Sequence, residues 1–302
     1  MSFLINVLIE GLLYSLLAIA VLLTYKILNF SDLSVDGTIP LGGVIAAVVI
    51  TNTNNPILGI VLGFVGGFIA GSITGLLHVK IGITPLLSGI MVMTGLYSVN
   101  LFIASSNLTV YNNTTIFSSG WLTDSITNLA TRKLVISLYQ LAIVFIIVVV
   151  IKLILDWFLK TKYGYLIRIA GDNPQLVLSL GVNIDNVKVF TLALSNGIAA
   201  LFGSVIIQYL GYYDIRLGTG MIAAGLASVI LGTTILKKAS GIKMTSMVIV
   251  GAILYRLSIA LSYRLNAPTS FEKIVTVLIF LVAIILNGQS LVVKRSKHDK
   301  AR

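Results

Sequence analysis

Cysteine is absent from all 302 residues, which excludes disulfides, thiolate metal sites and cysteine nucleophiles. Histidine is almost as scarce: His78 and His298 are the two present, and neither has a partner at metal-ligand spacing. No Gly-Lys dipeptide occurs, so there is no Walker A phosphate loop, and no Ser/His/Asp set is visible that the topology would assemble. The chain is accordingly expected to carry no catalytic residue, no metal and no cofactor. Charge is sparse too. Only 10% of residues are charged, where a soluble domain carries roughly 25%.

What fills the chain instead is hydrocarbon. Hydrophobic residues make up 57% of it and the mean hydropathy is +1.02, values of an integral membrane protein. The length allows one polytopic all-α domain, 1–302, with little left for a soluble one. Apolar runs long enough to span lie near 3–23, 56–78, 84–104, 134–156, 187–209, 217–236, 243–262 and 271–287. A shorter run covers about 38–51, so nine spanning or partly spanning helices are expected.

The net charge of +11 invites a nucleic-acid reading, but its distribution reports topology instead. With the basic tail, about 288–302, placed in the cytoplasm and the spans alternated backwards, the N-terminus falls outside. Fifteen Lys and Arg residues then lie at the inner face against five outside, with Arg256 inside a span. The start of the chain has no basic n-region and no cleavage site, so the first span is expected to be retained.

Several spans carry unusual features. Gly59, Gly63, Gly67, Gly71 and Gly75 recur every fourth residue, a small-residue stripe that lets another backbone approach closely. That helix is expected inside the bundle, away from lipid. The segment LNFSDLSVDGTIPLGGVIAA, 28–47, precedes a run short for a span. It reads as a broken or late-starting helix at the bundle centre, with Asp32 and Asp36 near a helix N-terminus and a polar path beside it. Arg256 faces either a partner or water, or snorkels outward. Tyr209, Tyr212, Tyr213, Asp214 and Arg216 cluster at the outer end of a span: the tyrosines suit an interfacial belt, and the Asp–Arg pair suits a loop that receives a partner. A polar ligand needs a few placed polar groups among apolar walls, and Asp36, Thr38, Asn100, Arg256 and Ser258 are the candidates for such a pathway.

A polar island, KTKYGYLIRIAGDNPQLVLSLGVNIDNVK, spans 160–188 within a connecting loop of about 157–187. Asn173 suits an N-cap, Pro174 the first helical position and Gly181 a C-terminal residue with positive φ. Between them Leu176, Val177 and Leu180 are expected to share one face of a two-turn helix. A loop between two spans has little need of such a device unless something docks on it.

GYLIRIAGDNPQLVLSLGVNI resembles the cytoplasmic coupling segment of the permease superfamily that serves branched-chain amino acid and ribose-type ABC importers. The matching positions are Gly164, Arg168, Gly171, Asn173, Pro174, Gly181, Val182 and Asn183. DLSVDG resembles another stretch of that superfamily. YLGYYDIRLGTGMIAAGLASVILG and GAILYRLSIAL are similar to its tryptophan or tyrosine import permeases. Thr233 departs from the pattern, which places a glutamate after GLASVILG. The resemblance implies a permease in a prokaryotic cell membrane, importing a small polar nutrient such as an amino acid, an aromatic one being in keeping with that subgroup. It implies as partners a second permease copy, a cytoplasmic ATP-binding subunit, an extracytoplasmic substrate-binding protein and membrane lipid, with no nucleic acid. Arg168, Gly171, Asp172, Asn173 and Pro174, with the helix through Leu176, Val177 and Leu180 to Gly181, would carry the ATPase coupling. The rival readings are an ion-coupled secondary transporter, which needs intramembrane carboxylates, and a channel, which needs no capped helix.

Overall fold

The computed structural model describes residues 2–105, 107–118, 128–237, 241–266, 268 and 271–287. The basic tail 288–302, with His298, and Lys238 fall outside them. In a bilayer no water satisfies backbone groups, so apolar runs of this length form helices. These are α1 (Ser2–Val21), α2 (Val35–Thr53), α3 (Pro56–Ile81), α4 (Pro85–Ile103), α5 (Leu129–Phe158), α6 (Lys162–Asp172), α7 (Pro174–Ser179), α8 (Ile184–Leu210), α9 (Met221–Ile235), α10 (Met244–Arg264) and α11 (Glu272–Asn287). A π-helical segment, Leu22–Ile27, prolongs α1, and a 3-10 turn, Ile215–Gly218, precedes α9. The described sheet is one antiparallel ribbon of β1 (Leu108–Thr109) and β2 (Tyr212–Tyr213).

Among the described residues, eight helices are long and apolar enough to cross a membrane. The ninth expected run appears as α11, which has 16 residues and is short for a full crossing. The 38–51 run is longer than its apolar part suggested. Asp36 and Gly37 form the first turn of α2, and Asn54 closes the helix in the left-handed conformation at φ 51°.

Over their most apolar windows α1 and α8 are each 89% buried, against 33% for α3, so α1 and α8 form the axis of the bundle. The interior position expected for α3 therefore holds for one face alone. Its Gly63, Gly67, Gly71 and Gly75 meet α8, so closely that a Cβ on Gly67 would lie 2.5 Å from the carbonyl oxygen of Asn196, while Gly59 meets Ala46 of α2. Ile57, Val61, Val65, Ile69 and Ile73 on its other side are exposed. A stripe of small residues governs only the side it occupies.

The backbone from Leu28 to Ser34 is not helical, as the late-starting helix requires. Thr38, in the first turn of α2, donates its hydroxyl to Asn196 Oδ1 at 2.6 Å. Asn196 lies midway along α8, so α2 begins at the middle of the bundle.

Candidate translocation site and coupling segment

Asp32 is fully enclosed in this central region with no cation at ion-pair distance among the described residues. Its carboxylate is satisfied by donors instead. The Ser34 N–H donates at 2.9 Å, the Ser34 hydroxyl adds a second bond, and Asn196 Nδ2 donates at 2.7 Å. Burying an unpartnered carboxylate is costly, and these donors fix the non-helical segment to α8.

Asp36 does not serve its own helix. Its two carboxylate oxygens accept the N–H groups of Gly220 (2.9 Å) and Ile222 (2.8 Å), which open α9. An acidic side chain at a helix start satisfies orphan donors and complements the helix dipole. Gly218 makes the approach feasible, because a Cβ there would overlap the Asp36 carbonyl oxygen. Two helices thus start side by side, each after an irregular stretch. Backbone of that kind at membrane depth is tolerated where it is buried in protein or lines a cavity. Thr219 and Gly220 are exposed and Asp36 is half-buried, so this junction reaches an open face.

Asn100, from α4, donates through Nδ2 to the Gly37 carbonyl at 3.2 Å, and its buried Oδ1 has no partner among the described residues. The structure thus gathers Asp36, Thr38 and Asn100 around the first turn of α2. Arg256 and Ser258 sit elsewhere, on α10. Ser258 bonds within its helix, to the Leu254 carbonyl at 2.9 Å. The Arg256 guanidinium pairs with Glu10 of α1 and, at 3.1 Å, with Glu272 of α11, and it lies 4.5 Å from the centre of the Tyr14 ring. Tyr263 donates to Glu272 at 2.8 Å. Both glutamates escaped the sequence reading, although Glu10 is the sole acidic residue of α1.

Of the tyrosine cluster, Tyr212 is exposed and Tyr213 buried, both within β2. Asp214 caps the 3-10 turn and pairs with Arg216 at 3.4 Å. The Gly- and Asp-punctuated stretch 211–220 was the available signal for the irregular entry into α9. Thr233, at the position of the expected glutamate, bonds back to Val229 O at 2.8 Å.

In the polar connecting loop 160–188, Asn173 Oδ1 accepts the Leu176 N–H at 3.3 Å, Pro174 opens α7, and Gly181 has φ 73°. Of the expected common face, Leu176 and Leu180 stand together on the exposed side, and Val177 departs from it. Val177 is buried while Leu176, Leu178 and Leu180 are 46%, 58% and 57% exposed. Successive helical residues are separated by about 100°, so Val177 turns inward when Leu176 turns out. Helix α6 was not anticipated, although the signal was present: Tyr163, Leu166, Ile167 and Ala170 stand at i, i+3, i+4 and i+7, and all four belong to or pack against the core. Thr161 caps it, accepting the Gly164 N–H at 3.3 Å. Gly164, Ile167 and Ala170 face inward, with Arg168 and Asp172 outward. A Cβ on Gly164 would stand 2.5 Å from Leu159 Cα, and one on Gly171 would overlap the Ile27 carbonyl oxygen. Both glycines therefore let α6 seat directly on the ends of α5 and α1.

Comparison with known proteins agrees with this architecture. The tyrosine transport system permease protein of Clostridioides difficile (strain R20291) is 36% identical over 98% of this chain and 95% of its own length. An uncharacterized protein of Rickettsia prowazekii (strain Madrid E) is 28% identical over 93% of this chain and 96% of its own. The autoinducer 2 import system permease protein LsrC of Salmonella typhi is 28% identical over 46% of this chain and 40% of its own. No solved structure matches significantly. A family model described as "Branched-chain amino acid transport system / permease component" matches residues 3–284, and the chain belongs to that family of permeases.

Proposed function

We propose that this permease is the membrane subunit of an ATP-driven importer for a small polar nutrient, an amino acid with aromatic ones foremost. The observation that carries the reading is α7. It is a short helix capped at its start by Asn173, anchored inward by Val177 and presenting three exposed leucines. Such a surface on a connecting loop calls for a protein groove to cover it. In this reading a cytoplasmic ATPase subunit provides the groove, and two permease copies and an extracytoplasmic binding protein complete the assembly. Arg168, Gly171, Asp172, Asn173 and Pro174 belong to the coupling surface. Rigid-body movement of α6 and α7 tilts α1 and α5, on whose ends α6 is seated.

The substrate path runs past Asp36, Thr38 and Asn100, where irregular backbone and a free amide oxygen provide polar groups among apolar walls. Arg256 and Ser258 line its outer part beside the Glu10–Glu272 pair. Support for an amino acid comes from the name of the Clostridioides relative. The test is uptake in proteoliposomes containing the permease, its ATPase and its binding protein, with radiolabelled tyrosine, leucine and ribose. ATP-dependent tyrosine accumulation that survives collapse of the ion gradients is expected. Accumulation that follows an ion gradient without ATP would contradict the reading.

A further inference from the structure

The ends of α1, α5, α6 and α10 enclose a cleft of about 570 Å³. Lys26, Lys160, Arg168 and Lys243 line it, with Asp156 and Asp172 as its carboxylates. Asp156 is already paired with Lys152 at 2.8 Å and Lys243 at 3.0 Å and accepts the Thr245 hydroxyl at 2.6 Å, whereas Asp172 has no cation at ion-pair distance among the described residues. Lys26, Lys160 and Arg168 have no carboxylate at ion-pair distance among the described residues. A concave site with uncompensated cations concentrates anions.

Its position selects the anion. Trp157, beside Asp156, is 71% exposed at the end of the long apolar α5, the setting of an indole at a membrane–water interface. Leu153 and Ile154, one turn deeper, are also exposed. Ile27, Leu159 and Met244 give the cleft an apolar floor. We propose that the cleft binds the phosphate headgroup of an anionic phospholipid. Lys26 and Lys160 donate to its phosphate oxygens, and its acyl chains descend along the exposed side of α5. Basic pockets between membrane helices commonly hold such headgroups. The inference rests on these side chains and not on the coupling role of α7.

The test uses the full-length permease, delipidated in detergent, with dioctanoyl-phosphatidylglycerol, dioctanoyl-phosphatidylcholine or inorganic phosphate added. Thermal unfolding midpoints and native mass spectrometry report binding. Phosphatidylglycerol is expected to be retained and to raise the midpoint where phosphatidylcholine does not. The Lys26→Gln/Lys160→Gln variant is expected to bind it about thirtyfold more weakly, and Lys133→Gln to bind as wild type. Three results would overturn the proposal. They are equal effects of both lipids, wild-type binding by the double variant, and stabilisation by phosphate alone as large as by phosphatidylglycerol, which would mark a free-anion site. Release of the lipid when the ATPase subunit is added would assign the cleft to an acidic protein surface and overturn it as well.

Discussion

Asp36 accepts the backbone N–H of Gly220 at 2.9 Å, tying together the starts of two helices that are 184 residues apart in sequence. With Ile222 the same carboxylate satisfies two donors at the head of α9. Asp36→Ala leaves the part-buried Ile222 N–H without its acceptor and the exposed Gly220 N–H to solvent, and should cost about 1–3 kcal/mol. Asp36→Asn keeps one acceptor and should cost about half as much. Thermal unfolding of the purified variants measures this order, and both variants should lose most substrate uptake. A wild-type midpoint for Asp36→Ala would contradict the role given to the carboxylate.

Glycine substitutions separate close contact from open surface. In Gly171→Ala the new methyl overlaps the Ile27 carbonyl, so α6 must shift, at about 1–3 kcal/mol. A methyl added at Gly95, in α4, would meet nothing within 4 Å, so Gly95→Ala should be neutral or stabilise slightly. Unfolding midpoints of the pair check the prediction, and equal losses would contradict it.

Arg256→Leu leaves Glu10 and Glu272 facing each other without a cation. Breaking a fully buried pair costs roughly 3–5 kcal/mol, but both glutamates are more than a third exposed, so about 2 kcal/mol is expected. Arg256→Lys should recover part of the loss by keeping the charge. If the leucine variant is as stable as wild type, Arg256 does not hold α1, α10 and α11 together.

The orientation expected from the charge distribution, N-terminus outside and C-terminus inside, is directly measurable, because the chain has no background cysteine. Gln175→Cys and Lys300→Cys should resist a membrane-impermeant thiol reagent added to intact cells, and Asn112→Cys should react. The opposite pattern would invert the assigned orientation.

These features differ in how far the sequence discloses them. Asn173, Pro174 and Gly181 were legible because a capped helix is encoded within a few neighbouring residues. The late start of α2 was legible because Asp32, Asp36 and Gly37 interrupt an apolar stretch. Helix α6 was missed although Tyr163, Leu166, Ile167 and Ala170 keep helical spacing, because Gly164, Arg168 and Gly171 among them break any continuous apolar run. The bond from Asp36 to α9 and the pairing of Glu10 with Arg256 join distant segments, and nothing in the local pattern of either partner specifies the other. The exposed outer side of α3 was misread because the glycine stripe describes one face of a helix and says nothing of the opposite one.

The most direct test of the account is the double variant Asn173→Ala/Pro174→Gly. Removing the cap should cost about 0.5–2 kcal/mol of local helix stability. Both residues lie at the junction of α6 and α7, away from the substrate path, so the variant should fold and insert normally. Co-purification of the ATPase subunit, with ATP hydrolysis stimulated by the binding protein, is the measurement. The account predicts that the ATPase is recovered poorly, or is recovered without stimulated hydrolysis. Wild-type recovery together with wild-type stimulation would contradict α7 as the element through which ATP hydrolysis drives this permease.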